Sequence, residues 1–142
     1  MRLWRFLPAL LAAFAVLAPI SGVQAAKTTI AGEVIDSWCY LTEIMYPLGT
    51  AHHQCAVWCA AGGVPVGILG DDGTVYILLA FPGADGSVAD PALLDIQTHH
   101  IVIEGTTFAR DGMNYLVAER LVEDHGIINR THDDYGIQPF GE

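Results

Sequence analysis

The chain has 142 residues, with 16 acidic side chains against six lysines and arginines and a formal net charge of −10. That length suits one compact domain with a modest core and is too short for two. Binding a nucleic-acid backbone or an anionic membrane surface depends on lysines and arginines displacing counterions, so a chain this acidic excludes nucleic acid as a partner. The acids are spread along the chain instead of forming a run, which serves solubility.

In chain order, the first feature is a leader. Arg2 and Arg5 give a positive start, Leu7 to Ile20 is an almost unbroken apolar run, and Val23-Gln24-Ala25 is a small-residue ending of the kind signal peptidase cuts. The run is short for a membrane-spanning helix, which needs about 20 residues. Residues 1–25 are therefore expected to be a cleaved signal peptide, with an uncleaved anchor as the alternative. No cysteine stands near the cut for lipid attachment. Cleavage leaves Lys27, Arg110, Arg120 and Arg130 as the remaining lysines and arginines. A periplasmic or secreted protein with no membrane insertion after signal removal is the expectation.

From residue 26 the chain reads as short β signals with helical interruptions. Thr28 to Asp36 is strand-like, with Gly32 suggesting a bulge or bend. Ser37 to Thr50 is irregular, marked by Pro47 and Gly49, and His52 to Ala61 is helix-compatible until Gly62 and Gly63 stop it. Val64 to Leu69 and Thr74 to Ala80 flank Gly70-Asp71-Asp72-Gly73, a hairpin turn. A polar loop, Pro82 to Val88, precedes Asp90-Pro91, which caps a short helix ending near Gln97. Ile101 to Ala109 and Asn114 to Glu123 form a second hairpin around Arg110-Asp111-Gly112. Five strands with a helix between the third and the fourth is the order of an OB-fold, a small, mainly β, partly open barrel, here with a helical insertion after strand 1. The domain is expected over residues 26–123, followed by an extended C-terminal tail over 124–142.

The insertion carries the chemistry. Cys39, Cys55 and Cys59 are the only cysteines, and an odd number of thiols in an exported chain cannot all pair as disulfides. On a helix, His52, Cys55 and Cys59 fall at i, i+3 and i+7 on one face while His53 falls elsewhere. Cys39, arriving from the end of the first strand, then completes a set of one imidazole and three sulfurs. Such a set is the usual make-up of a closed zinc site. It also suits a copper ion, Cu(I), which exported soft-ligand sites often handle. Two other readings stay open: a disulfide from Cys39 to Cys55 or Cys59 with one free thiol, and a redox-active thiol pair, although the usual Cys-x-x-Cys spacing is missing. Haem attachment is excluded because Ala60 follows Cys59.

Weaker candidates surround this set. Trp38 and Trp58 are expected to wall the site from water or to pack in the core, and Asp36 to hydrogen-bond a ligating imidazole or the loop backbone from outside the ligand set. Met45 is a candidate soft axial ligand for copper. His99 and His100, on opposite faces of a strand, can supply one ligand at most, and His125, His132, Asp133 and Asp134 belong to the solvated tail. No nucleophile elbow, phosphate loop or paired-histidine zinc-protease helix is present, so no catalytic residues are assigned.

The stretch Gly32-Glu33-Val34-Ile35-Asp36-Ser37-Trp38-Cys39, then Ala51-His52, Cys55-Ala56, Cys59 and Gly63-Val64-Pro65-Val66-Gly67-Ile68-Leu69, resembles a family of small exported bacterial OB-like proteins of uncharacterised function. The likeness covers about Thr28 to Ala80. It picks His52 over His53, and it brings no substrate or reaction. The expected function is a non-enzymatic metal-binding domain, with zinc ahead of copper, that meets an envelope protein partner. The alternatives are a copper carrier or electron-transfer accessory, and a thiol redox protein.

Overall fold

The computed structural model describes residues 24–86 and 89–138, so the leader lies outside the described residues except for Gln24 and Ala25. Five strands close a barrel: β1 (Gln24–Asp36), β2 (Val66–Gly70), β3 (Val75–Ala80), β4 (His100–Arg110) and β5 (Met113–Asp124), in the order β1-β2-β3-β5-β4. β3 and β5 run parallel and the other neighbours antiparallel. This is the expected small OB-like barrel. Among the described residues, four α-helices accompany it: α1 (Ser37–Thr42) and α2 (His53–Ala61) in the insertion after β1, α3 (Pro91–Leu94) between β3 and β4, and α4 (Thr131–Tyr135) near the C-terminus.

Alternation builds the barrel's inside. Ile101 and Ile103 of β4 and Leu116 of β5 are fully buried, and they join Val34, Val66, Ile68 and Leu93 in one core. The turns follow their chemistry: Gly73 (φ 82°) closes β2–β3, and Asp111 (φ 51°) with Gly112 (φ 82°) makes the tight turn of β4–β5.

Gly32 is a close approach, with no register shift recorded there. β1 pairs with β4 as far as Glu33 and with β2 from Gly32 onward, so Gly32 and Glu33 are shared by both neighbours. A Cβ on Gly32 would stand 2.2 Å from the Leu69 carbonyl oxygen. That crossing delivers the end of β1, and with it Asp36, to the rim where the insertion begins.

Helix α3 is shorter than expected for a local reason. Asp90 caps it by accepting from the Ala92 amide at 2.8 Å. The Gln97 side-chain amide then donates to the Leu93 carbonyl at 2.8 Å, taking the acceptor that another helical turn would need.

The segment after β5 is also not an extended tail. It folds back on the insertion, with the Thr50 amide donating to Asn129 O at 2.9 Å and Thr131 Oγ1 to Leu48 O at 2.7 Å. Buried His132 meets Thr50 Oγ1 through Nδ1 at 2.5 Å, and Tyr135 stacks on Tyr46 with ring centroids 4.1 Å apart. Glu33 ties the two segments to the barrel, accepting from the Gly49 amide at 2.6 Å and from Asn129 Nδ2 at 3.0 Å. Among the described residues no helix is long and apolar enough to cross a membrane.

Candidate metal centre

Asp36 is the last residue of β1 and the N-cap of α1. One carboxylate oxygen, Oδ1, accepts from the amides of Trp38 at 2.9 Å and Cys39 at 3.2 Å. This cap fixes the first turn of α1 and turns buried Cys39 inward. The other oxygen, Oδ2, points into the molecule without a hydrogen-bond partner.

His52 arrives from the opposite side, at the N-cap of α2, and is 0 % exposed. Its Nδ1 donates to the Met45 carbonyl at 3.0 Å, a bond that in the neutral ring leaves the lone pair on Nε2. Nε2 has no hydrogen-bond partner and faces Asp36 Oδ2 at 3.5 Å. In the neutral form of the ring these are two buried acceptors facing each other. The loop that presents the Met45 carbonyl is unusual in its backbone: Glu43, Met45 and Tyr46 all have positive φ (54°, 55° and 49°). Non-glycine residues held there mark a conformation that the surrounding structure imposes.

Cys39, His52 and Cys55 come together with Asp36, whereas helical spacing groups His52 and Cys55 with Cys59. One ligand atom from each of Asp36, Cys39, His52 and Cys55 lies within 4.8 Å of every other, a group able to hold a metal ion. Cys59, one turn beyond Cys55 on α2, stands outside that compact group with its thiol against Asp36 and Cys55. Asp36, Cys39 and His52 form the buried floor, and Cys55 and Cys59 the half-buried rim. All three cysteines are free, so neither disulfide pairing is formed.

The electrostatics suit a cation. Burial alone would raise the Asp36 carboxyl, but the nearby thiols of Cys59 and Cys39 and the capping amides outweigh it and hold the group below its ordinary value. Burial and the adjacent carboxylate push the Cys39 thiol up, while burial, Asp36 and Cys55 push Cys59 up to about 12. Without a metal these two sulfurs keep their protons at neutral pH. A metal ion takes the place of such protons when it binds.

The remaining candidates fall outside the cluster. Trp38 and Trp58 are 62 % and 68 % exposed and do not wall the site off from water, and Met45 serves through its carbonyl while its side chain is 64 % exposed. His53 bonds the Gln97 carbonyl and Thr98 hydroxyl, both at 3.0 Å, and so docks α2 on the turn after α3. His99 pairs with Asp124, His100 with Asp71 and His125 with Glu123. Asp36 is the member that spacing alone misses as a donor. Its position just before a helix signals a cap, and only the three-dimensional arrangement reveals the second oxygen.

No family model matches the chain, and no curated protein or solved structure is matched either.

Proposed function

We propose that this chain is an exported, non-enzymatic metal-binding domain of the cell envelope that holds a structural zinc ion with Asp36, Cys39, His52 and Cys55, beside Cys59. The observation that carries this reading is the pair of buried acceptors, Asp36 Oδ2 and His52 Nε2, 3.5 Å apart and each without a hydrogen bond. Leaving such groups unsatisfied costs about 1–3 kcal/mol apiece, and a cation between them removes the cost. Two thiols in the same group give a mixed oxygen, nitrogen and sulfur set that zinc accepts in tetrahedral geometry.

Four protein ligands leave no open position for water or substrate, which supports a structural role over hydrolysis. The leader sequence supports export, as does the resemblance over Thr28 to Ala80. Trp38, Leu41 and Trp58 are exposed on the insertion and suit contact with an envelope protein partner. A copper carrier or electron-transfer accessory is the second reading, favoured by the half-buried Cys55–Cys59 rim, which offers soft ligands near solvent. A thiol redox role is a third, and three free thiols in one neighbourhood are compatible with it.

The test is to purify the mature protein from the envelope without added metal and to measure metal per chain and reactive thiols before and after chelation. About one zinc per chain, with thiols released by chelation, is the expected result. Copper at similar stoichiometry would favour the second reading, and a reversible disulfide with no metal would establish the third.

A further inference from the structure

The cluster contains five donor groups, one more than a tetrahedral ion takes. Asp36 Oδ2, His52 Nε2 and the sulfurs of Cys39 and Cys55 form the compact group, and Cys59 adjoins it through Asp36 and Cys55. Exchanging Asp36 for Cys59 would change the set from one oxygen, one nitrogen and two sulfurs to one nitrogen and three sulfurs. That exchange replaces a hard donor with a soft one.

Resting on the metal reading above, we infer that Asp36 and Cys59 are alternative donors that the bound metal itself selects: zinc takes Asp36 with Cys39, His52 and Cys55, whereas Cu(I) takes Cys59 with the other sulfurs and leaves Asp36 uncoordinated. Ligand softness supplies the preference, since Cu(I) favours thiolates over carboxylates and zinc accepts both. Charge acts in the same direction for zinc. A carboxylate and two thiolates already outweigh its two positive charges, and a third thiolate would add uncompensated negative charge to a largely buried site. Each thiol that ligates as a thiolate gives its proton to solvent.

The two donors differ in freedom as well as in softness. Asp36 is anchored, because its Oδ1 is held by two backbone amides while Oδ2 faces His52. Cys59 sits on the half-buried rim one helical turn from Cys55, and a cysteine sulfur has a single side-chain torsion by which it can reorient. A fixed hard donor with a soft one beside it allows the choice to be made without refolding.

The experiment compares Asp36→Asn and Cys59→Ser with the wild-type mature chain. Zinc affinity is read by competition with a chromophoric chelator, and Cu(I) affinity by competition with a Cu(I) chelator under anaerobic, reducing conditions. X-ray absorption counts the sulfurs around each metal. Asparagine keeps the helix cap, so Asp36→Asn removes the second oxygen and its charge without removing the cap. The expected result is a double dissociation: Asp36→Asn weakens zinc by about 100-fold or more and Cu(I) by less than about 10-fold, and Cys59→Ser does the reverse. Zinc should show two sulfurs and Cu(I) more than two. Equal losses of both metals in both variants, or three sulfurs around zinc, would overturn the inference while leaving the metal site standing. A wild-type chain that binds neither metal would remove the site and the inference together. If Asp36→Asn does not fold, Cys59→Ser decides alone, because the inference requires it to lose Cu(I) affinity and keep zinc.

Discussion

Loading the mature chain with zinc should raise its melting temperature by about 16 °C, and His52→Ala should abolish that rise. In the metal-free chain, Asp36 Oδ2 and His52 Nε2 are buried without partners, at a cost of about 1–3 kcal/mol each, so about 2–6 kcal/mol is recoverable by an ion that satisfies both. Linkage gives a figure inside that range: free zinc at about 1,000 times its dissociation constant stabilises the fold by about 4 kcal/mol. A domain near this size gains about 4 °C per kcal/mol. His52→Ala loses the ligand, opens a cavity and strands the Met45 carbonyl, so the metal-free variant should itself lie about 2–3 kcal/mol below the metal-free wild type. The decisive quantity is therefore the difference between zinc-loaded and chelated melts within each protein, read by calorimetry or circular dichroism. A wild type that melts at the same temperature in both conditions, or a variant that keeps the full increment, would refute the reasoning.

Three further outcomes follow from the fold around the site. Burial raises the Glu33 carboxyl above its ordinary 4.5, against the lowering effect of its bonds from Asn129 and Gly49. The folded chain thus holds this proton more tightly than the unfolded one, and the resulting stability is fully present below about pH 4.5 and lost as pH rises through the raised folded value. With chelator present, wild type should lose stability relative to Glu33→Gln as pH rises above about 4.5, and parallel denaturation curves over that rise would contradict it. Gly49→Ala places a Cβ 2.3 Å from the Asn129 carbonyl oxygen at a φ of 64° and should cost at least about 3 kcal/mol by urea denaturation. His132→Ala removes a buried ring and its bond to Thr50, a loss of about 2–3 kcal/mol. Native-state hydrogen exchange should then show faster exchange at the amides of Thr50 and Ala51 than in wild type.

The barrel was legible in the sequence because strands declare themselves locally. Alternation in Ile101 to Ile103 and the paired glycines and aspartates at 70–73 and 111–112 depend on near neighbours alone. His52 and Cys55 were legible for a related reason, since helical spacing places them on one face, and Cys39 follows from its position just past a strand. Asp36 and the C-terminal segment were not. A single carboxylate with one oxygen capping a helix and the other facing a histidine 16 positions away has no one-dimensional signature. The fold-back of residues 125–135 depends on Leu48, Thr50 and Glu33, about 80 to 100 positions earlier, and its own polar composition says nothing of them.

These long-range contacts bear on why a metal would be held here at all. The insertion is fastened at its two ends by Ser37, whose amide and hydroxyl both donate to the Pro65 carbonyl at 3.2 and 2.7 Å. In the middle it is fastened by Glu33 and the returning C-terminal segment through Gly49, Thr50 and Ala51. Between those points the chain passes through three positive-φ residues, Glu43, Met45 and Tyr46, with short helices on either side. A hairpin-like excursion of this kind has little apolar core of its own and a large conformational entropy to lose. An ion joining Asp36 and Cys39 at its start to His52 and Cys55 at its centre would cross-link the excursion across its most strained segment. Closing that loop in the unfolded chain would be costly, and the binding energy would appear as folding energy. The insertion is thus the part of the molecule with most to gain from a metal, while the barrel has a closed ladder and a continuous core without one.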